Sequence, residues 1–377
     1  MKPVQILHLN TESGWRGGEA QTLLLARGLR DRGHGAIIAA PEGSELARRA
    51  SEDGLEVWTC RMRGEFDPAA VLQLSRLLRQ RHPGLLHYHS SHAVTLGTLA
   101  GLVAFPARRR PPVVLTRRVS FSLRRNPLAR LKYSFRVDHV IAVADGVRWV
   151  LLAEGLSPRR VSVIHSGIDL SLFDGPRESA GRSFRKEIGV PEGCLLVGSV
   201  GALVPHKGHR FLLEAAGELF RNEPDAHLVL VGEGPLRSDF EEQARSATLA
   251  GRVHFTGFRR DIPAVMAALD VFVLPSVSGE GSPAVVKEAM ASQVPLVATD
   301  LEGVREIAGE GDGALFVPPG NAVRLREALE ALTGDAKLRE RLARRAREKV
   351  FDYSAERMVE RTEEVYERVL SRRLDAA

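Results

Sequence analysis

The first part of the chain alternates short apolar segments with longer segments whose apolar residues recur at helical spacing. In Ala20–Leu29 the apolar side chains fall on one helical face, which predicts an amphipathic helix. Strands are predicted at Val4–Leu9, Gly33–Ala40, Leu55–Thr59, Leu85–Tyr88, Val113–Thr116, Val140–Ala144 and Val161–His165. Strands separated by helices of about 10 to 15 residues indicate βαβ units and a parallel sheet covered on both faces.

The same alternation restarts after a polar connector at Ser171–Ser183. The later predicted strands are Leu195–Val200, His227–Val231, Val253–Phe255, Val271–Leu274, Leu296–Ala298 and Ala314–Val317. A chain of 377 residues is too long for one compact core. We therefore predict an α/β protein with two Rossmann-like, doubly wound domains at residues 1–170 and 171–353. Ligands of such sheets bind at the carboxyl ends of the strands, so we expect the site in a cleft between the domains.

The composition is that of a globular protein, with 44% hydrophobic and 27% charged residues. Its two cysteines, Cys60 and Cys194, have no metal-ligand spacing, which excludes a zinc ribbon and suits a reducing cytosol. No secretory signal opens the chain, and the longest apolar stretch, Ala93–Pro106, is shorter than the roughly 20 residues of a bilayer span. We therefore expect a cytoplasmic protein without a membrane span.

Positive charge is concentrated in one segment. The whole chain carries a net charge of +6, yet residues 68–137 contain 13 Lys and Arg residues and no Asp or Glu. The other 307 residues therefore carry a net charge of −7. Such a segment predicts a face for an anionic partner, because solvated surfaces usually mix both signs.

The strongest local motif is the segment Ser278–Met290, which follows a predicted buried strand. Gly279 and Gly281 allow the backbone to approach a ligand closely. Ser282 is expected to cap a helix whose first residue is Pro283. The free N–H groups and the positive dipole end at such a helix start favour an anion.

Two glutamates, Glu280 and Glu288, belong to this segment. They are eight residues apart, too far to share one proton. Either one alone would ordinarily be a solvent-facing charge, but beside this loop they are placed to hold two parts of one extended polar ligand.

Further motifs extend over nearly the whole chain. They are Trp15–Glu19, Leu86–His89, Val163–Asp169, Val200–Gly208, Val231–Pro235 and Glu302–Glu306. Together with the Glu280–Glu288 pattern, their order and spacing resemble the retaining glycosyltransferases of family 4. The resemblance implies the GT-B fold, two facing Rossmann-like domains. It also implies that a C-terminal helix, 354–370, returns to the first domain. The helix would tie the two domains together about a hinge near Ser166–Ser171.

The resemblance implies roles for individual residues. The implied donor-binding residues are Gly17, Gly18, Lys207, Glu280, Gly281, Ser282, Pro283 and Glu288, and the implied catalytic residues are His89, Lys207 and Glu280. Lys207 would neutralise the leaving nucleoside diphosphate, Glu280 would lie near the transferred sugar, and Glu288 would bind the ribose. His89 would face the reaction centre, either holding the acceptor or lining the cleft.

One departure concerns the arginine that shares the diphosphate in the family, because Ala202 stands at its position. The second positive charge would come from His206, His209 or Arg210, or from an arginine of the first domain.

No metal and no other cofactor is expected. No acidic pair of metal-binding type follows a strand end at the expected site. His87 and His92 lack zinc-ligand spacing on one helix face, and we interpret them as structural.

The basic segment resembles the patches of family members that glycosylate lipid-linked acceptors. Its patch residues are Arg108, Arg109, Arg110, Arg117, Arg118, Arg124, Arg125, Arg130 and Lys132. Mixed with Phe and Leu, they predict peripheral binding to the anionic inner leaflet of the plasma membrane. A nucleic-acid partner is not expected, because no nucleic-acid motif is present.

The expected function is transfer of a hexose, with retention, from a nucleotide sugar to an anionic lipid-linked or glycan acceptor, as in lipopolysaccharide or cell-envelope glycan synthesis. One alternative is a nucleotide-sugar epimerase of the same fold, which needs neither an acceptor nor a basic patch. A second, non-enzymatic alternative is a basic nucleic-acid-binding protein with a decayed sugar site.

Overall fold

A computed structural model describes residues 2–106, 109–119, 132–309 and 313–374. The chain divides into two compact units: a first unit of Met1–Gly167 with Ala355–Ala377, and a second unit of Ile168–Ser354. The change of unit lies three residues before the predicted boundary. Ile168 donates its N–H to the Tyr353 carbonyl oxygen at 2.9 Å, which fixes it to the second unit.

The first unit contains a parallel sheet of seven strands within the described residues. The strands are β1 (Gln5–Leu9), β2 (Gly35–Pro41), β3 (Glu56–Cys60), β4 (Leu85–Tyr88), β5 (Val113–Arg117), β6 (His139–Ala142) and β7 (Val161–Val163). They are ordered β3-β2-β1-β4-β5-β6-β7. The helices between them are α1 (Gly17–Asp31), α2 (Glu45–Glu52), α3 (Pro68–Arg81), α4 (Ser91–Ala104) and α5 (Asp145–Ala153), and a 3₁₀ turn, Pro158–Arg160, precedes β7.

The second unit contains a parallel sheet of six strands within the described residues, ordered β10-β9-β8-β11-β12-β13. The strands are β8 (Leu195–Val200), β9 (Ala226–Val231), β10 (Val253–Gly257), β11 (Val271–Leu274), β12 (Leu296–Thr299) and β13 (Leu315–Val317). The helices are α6 (Arg177–Glu187), α7 (His209–Asn222), α8 (Arg237–Gln243), α9 (Ile262–Ala268), α10 (Ala284–Ala291), α11 (Glu302–Ala308), α12 (Ala322–Gly334) and α13 (Ala336–Val350). Short 3₁₀ turns are Leu170–Phe173, Pro205–Lys207 and Phe351–Tyr353.

The C-terminal helix α14 (Ala355–Leu374) packs on the first unit. Its buried apolar residues include Met358, Val359, Val365, Tyr366 and Val369. They share a core with β1 and α1. Gly28 of α1 permits this approach, because a Cβ at that position would lie 2.4 Å from Val359 Cγ2. The helix extends four residues beyond the predicted end at Leu370.

The polar connector predicted at Ser171–Ser183 is largely helical, and this part of the prediction is wrong. Helix α6 covers its second half and continues to Glu187, and Gly181 and Phe184 of this helix are buried. Gly181 allows the helix to pack closely on the chain at Ala267, since a Cβ on this glycine would lie 2.5 Å from the Ala267 carbonyl oxygen. A helix with so few apolar residues gives little periodic signal in the sequence.

The predicted α/β class with two Rossmann-like sheets is confirmed. In each sheet the strand order reverses beside the first strand of the unit, between β1 and β4 and between β8 and β11. Ligands of open α/β sheets bind outside the carboxyl ends of the strands at such a switch point. Within the described residues, none of the helices has both the length and the apolar character required to cross a membrane.

Candidate active site

Three histidines meet at the switch point of the first unit. His8 on β1 and His87 on β4 are paired in register, and His89 follows the end of β4. His8 Nδ1 lies 3.0 Å from His89 Nε2, and the rings of His87 and His89 have centroids 4.0 Å apart. All three side chains are buried. The structure therefore places the predicted catalytic residue His89 in a tight imidazole cluster.

His87 is anchored through both ring nitrogens. Its Nδ1 lies 2.6 Å from the Tyr366 hydroxyl of α14, and its Nε2 lies 2.7 Å from the Thr116 hydroxyl of β5. Burial lowers the pKa of His8 to about 3 and holds the pKa values of His87 and His89 well below the usual range. Buried imidazoles are disfavoured in the charged form, so the cluster is neutral at pH 7.

The same cluster has the spacing of a possible metal site, which the sequence did not indicate. One nitrogen from each of His8, His87 and His89 lies within 4.8 Å of the others. A metal would have to displace one of the two hydrogen bonds that already hold His87. The sequence could not predict this cluster, because His8 and His89 are separated by 81 positions and meet only through strand pairing.

Gly17 and Gly18 begin helix α1. Arg118 lies against Gly18: a Cβ on this glycine would be 3.5 Å from Arg118 Cδ. Burial lowers the pKa of Arg118 to about 10, an effect partly opposed by Glu19. Among the described residues its Nε has no hydrogen-bond partner, although the atom is buried. Arg118 was predicted to belong to the membrane patch, but in the structure it lies beside Gly18 at the start of α1.

Other residues of the predicted patch form ion pairs within the first unit. Ion pairs join Arg110 to Asp138, Arg117 to Glu154, and Lys132 to Glu65. Arg117 is buried together with its partner, which excludes it from a membrane-facing surface, and Arg109 is exposed. The remaining patch residues, Arg108, Arg124, Arg125 and Arg130, lie outside the described residues.

In the second unit, the loops after β8 and β11 meet through Lys207 and Glu280. Lys207 Nζ lies 2.6 Å from Glu280 Oε1, and the Ser276 hydroxyl donates to the same oxygen at 2.5 Å. The Glu280 side chain is 6% exposed and that of Lys207 is 22% exposed. The two residues predicted to be catalytic in this unit therefore form one partly buried ion pair at its switch point.

Glycine lets these two loops approach each other. Gly208 has a φ of +70°, and a Cβ there would lie 2.0 Å from the Pro275 carbonyl oxygen. The Val277 N–H donates to the His206 carbonyl oxygen at 2.8 Å. A side chain at position 208 would push the lysine loop away from the glutamate loop, so the glycine is required for the pair to form.

The start of helix α10 differs from the prediction. Ser282 does not cap it: Pro283 stands at the N-cap, and the Ser282 hydroxyl accepts a hydrogen bond from Lys287 Nζ at 2.7 Å. The Lys287 side chain is fully buried. Because a buried ammonium needs acceptors, Lys287 takes the hydroxyl that would otherwise cap the helix. Gly281, Ser282 and Pro283 still form the loop that leads into the helix.

Glu288 lies one turn into α10. Burial raises its pKa to about 7, an effect partly opposed by the neighbouring Lys287. A carboxyl group poised near neutrality is a common feature of functional sites. Of the predicted site residues in the second unit, Glu288 thus lies on the helix that follows the Glu280 loop.

The structure bears on which residue supplies the positive charge that is missing at Ala202. Burial and the nearby Lys207 lower the pKa of His209 to about 4, so its ring is neutral at pH 7. Arg210 is exposed and stacks on the Phe211 ring at 4.3 Å. Within the second unit, exposed His206 and exposed Arg210 remain as candidates. An arginine of the first domain stays a prediction.

Comparisons with known proteins agree with this architecture. Residues 15–172 match the family described as Glycosyltransferase Family 4, and residues 182–349 match the one described as Glycosyl transferases group 1. The 2-deoxystreptamine N-acetyl-D-glucosaminyltransferase of Streptomyces fradiae is 31% identical over 94% of this chain and 91% of that protein. The chain belongs to glycosyltransferase family 4. The family predicted from the sequence is therefore confirmed.

Other relatives of this family 4 member are named for different acceptor molecules. The phosphatidyl-myo-inositol mannosyltransferase of Mycolicibacterium smegmatis is 30% identical over 94% of this chain and 90% of that protein. The UDP-Gal:alpha-D-GlcNAc-diphosphoundecaprenol alpha-1,3-galactosyltransferase of Escherichia coli is 28% identical, and the match spans 66% of each chain, just under two thirds of that relative's length.

A solved structure supports the fold. Alr3699/HepE of Anabaena in complex with UDP has a TM-score of 0.84 and 22% identity, over 96% of this chain and 99% of that chain. The likeness shows that this family 4 member has the predicted GT-B fold.

Proposed function

We propose that the chain is a retaining hexosyltransferase, which moves a sugar from a nucleotide-sugar donor to a lipid-linked or glycan acceptor. The observation that carries the proposal is the partly buried pair of Lys207 and Glu280 at the switch point of the second unit, with Glu288 one turn into the following helix. Membership of family 4 supports the same activity.

In this proposal Lys207 binds the donor's diphosphate. An ammonium group has three N–H donors, and the contact with Glu280 uses one of them. The others are available to phosphate oxygens, where they stabilise the negative charge that develops as the diphosphate leaves. The backbone around Gly281, Ser282 and Pro283, at the start of α10, adds N–H groups and the positive end of a helix dipole.

Arg118 is the arginine that we propose in place of the one missing at Ala202. A buried guanidinium nitrogen without a partner is costly unless an anion completes its hydrogen bonds. Arg118 lies beside Gly18, where two glycines leave the backbone open to close approach by a diphosphate.

The remaining roles follow from hydrogen-bonding capacity. Glu288, when ionised, accepts two hydrogen bonds and suits the ribose hydroxyls. Glu280 is held by Ser276 and Lys207 and suits a sugar hydroxyl. His89 is neutral and can accept or donate a hydrogen bond near the reacting hydroxyl. We propose that the leaving diphosphate itself takes the acceptor proton, without an enzymatic nucleophile and without a metal.

An anionic, lipid-linked acceptor on the inner leaflet is the acceptor class that we propose. The segment of residues 68–137, which has no Asp or Glu, supports it through the basic residues that are not paired within the fold. The names of two relatives, with phosphatidyl-myo-inositol and diphosphoundecaprenol acceptors, point to the same chemistry. The chain would then be a cytoplasmic, peripheral membrane enzyme of cell-envelope glycan synthesis.

The proposal is tested by incubating the full chain with a panel of nucleotide sugars and an extract of anionic membrane lipids. We expect one donor to lose its sugar to a lipid, detected as a hexose added to the lipid mass. Epimerisation of the donor without any acceptor would support the epimerase alternative and contradict the transferase.

A further inference from the structure

A large cationic cavity lies at the other end of the first unit's sheet from His89. It has a volume of about 1030 Å³ and is bordered by the residues that precede β5, β6 and β7 and by the end of helix α14. Six arginines line it: Arg109, Arg110, Arg136, Arg160, Arg372 and Arg373. Among the described lining residues, Asp138 supplies the carboxylate. We call this cavity the amino-edge pocket.

Three of these arginines build the pocket wall. Arg110 grips Asp138 through two hydrogen bonds of 2.7 and 3.0 Å, and Arg373 reaches the same carboxylate at 3.3 Å. Arg373 also donates to the Arg110 carbonyl oxygen at 2.7 Å. Arg160 donates to the carbonyl oxygen of Ser134 at 3.2 Å. Among the described residues that line the pocket, the one carboxylate is thus already shared by two guanidinium groups.

The other three arginines have no carboxylate partner among the described residues. Arg109 and Arg372 are exposed, and Arg372 donates to the backbone oxygen of Arg159 at 3.3 Å. Arg136 has a φ of +59°, which is rare and strained for a residue with a side chain. Within the part of the chain that the structure describes, its buried Nη1 has no hydrogen-bond partner.

The positive charge around the pocket lowers the pKa of a neighbouring histidine. His139, at the start of β6, has its pKa lowered to about 4, first by burial and then by Arg368, Arg372 and Arg160. Guanidinium groups facing one cavity repel each other unless an anion lies between them. A guanidinium fork matches the oxygen geometry of a phosphate, with two parallel N–H donors.

We propose that the amino-edge pocket is a second anion site, which binds a di- or polyphosphate group away from the candidate active site. One phosphate would satisfy only part of a pocket of this size and charge, whereas linked phosphates can reach Arg109, Arg136 and Arg372 together. The proposal does not depend on the donor or the acceptor of the proposed reaction. The phosphates belong either to a soluble molecule or to a lipid headgroup.

Calorimetric titration of the full chain with inorganic tripolyphosphate tests the site. The test variant is Arg109→Ser with Arg372→Ser, two exposed positions that leave the Asp138 pairs intact. The control is Arg341→Ser with Arg344→Ser, two exposed arginines of α13. We expect the test variant to bind at least about tenfold more weakly than wild type and the control to bind like wild type, since charge-assisted bonds to phosphate are the stronger kind. Equal binding by test and control variants would overturn the proposal.

Thermal unfolding of wild type supplies a measurement that needs no variant. Tripolyphosphate that binds the folded chain must raise the melting temperature in a concentration-dependent way. The rise should be smaller in the test variant than in the control variant. A rise of the same size in both would assign the binding to another site and overturn the proposal.

Vesicles identify the source of the phosphate. Phosphatidylcholine vesicles with and without phosphatidic acid are sedimented with wild type and with the test variant. Binding that requires phosphatidic acid, is weakened in the test variant and is competed by tripolyphosphate assigns the site to a lipid headgroup. Tripolyphosphate binding that depends on the pocket, with vesicle binding unchanged between the proteins, assigns it to a soluble molecule.

Discussion

Lys207 is the residue on which the proposed chemistry depends most. Its ammonium group is held by Glu280 at 2.6 Å and would face the diphosphate as negative charge develops. We expect Lys207→Ala to lower kcat/KM by about 100- to 1000-fold, the loss that is typical when one preorganised stabilising group is removed. The measurement is the rate of nucleoside diphosphate release. Lys186→Ala, at an exposed lysine of the same unit, is the control and should retain wild-type turnover.

Glu288 gives a prediction for the pH dependence of stability. Burial raises its pKa to about 7 in the folded chain, above the ordinary value of 4.5. Between these values the folded state keeps a proton that the unfolded state has lost, so the free energy of unfolding falls as the pH rises towards 7. Glu288→Gln lacks this titrating group. Between about pH 5 and about pH 8 we therefore expect the free energy of unfolding of wild type to fall by about 2 kcal/mol relative to that of Glu288→Gln.

Urea unfolding at several pH values checks this expectation. Glu214→Gln, at an exposed glutamate of α7, is the matched control and should follow the wild-type pH profile. If Glu288→Gln also follows the wild-type profile, the carboxyl group is not perturbed by burial.

At the scale of single elements, helix α14 supports the histidine cluster. The Tyr366 hydroxyl lies 2.6 Å from His87 Nδ1, and both side chains are buried. Tyr366→Phe leaves that nitrogen unsatisfied and should lower the free energy of unfolding by about 1–3 kcal/mol. Denaturant unfolding measures it. Glu367→Gln, on the exposed face of the same helix, should change stability by less than about 0.5 kcal/mol. Equal effects of the two substitutions would contradict the anchoring role.

Many strands were predictable from sequence because they carry a mostly apolar run. Leu195–Val200 and Val271–Leu274, for example, have the predicted bounds. The helical part of the connector was missed, since α6 buries too few apolar residues to give a period. The lost cap at Ser282 could not be predicted either, because the competing donor, Lys287, depends on how α10 is buried.

The site was predictable where a local motif carries it and unpredictable where strands assemble it. Lys207, Glu280 and Glu288 each belong to a contiguous motif. His8 reaches His89 only through the pairing of β1 with β4. The basic segment showed that charge was concentrated, but it could not show that Arg118 turns towards Gly18 while Arg117 pairs with Glu154.

At the scale of the whole molecule, the uneven distribution of charge predicts salt-sensitive binding to anionic vesicles. The full chain should sediment with vesicles that contain phosphatidylglycerol and not with neutral ones. Raising the salt concentration should release it, because exposed charges are screened within about 8 Å at physiological ionic strength. Binding that is equal on neutral and anionic vesicles would contradict the membrane proposal.

A triple substitution identifies the charges involved. Changing Arg124, Arg125 and Arg130 to Ser should weaken vesicle binding by roughly 100-fold, since each basic residue contributes about 1 kcal/mol near the surface. The matched control changes Lys337, Arg341 and Arg344, three exposed cations of α13, and should bind like wild type.

The anomeric configuration of the transferred sugar tests the central claim most directly. NMR of the product formed from an α-linked nucleotide sugar reports this configuration through the anomeric proton. The proposed retaining transfer predicts an α-linked product, formed by wild type and almost lost in Lys207→Ala. A β-linked product would contradict retention, and failure to consume any nucleotide sugar of a broad panel would contradict the donor site built on Lys207, Glu280 and Glu288.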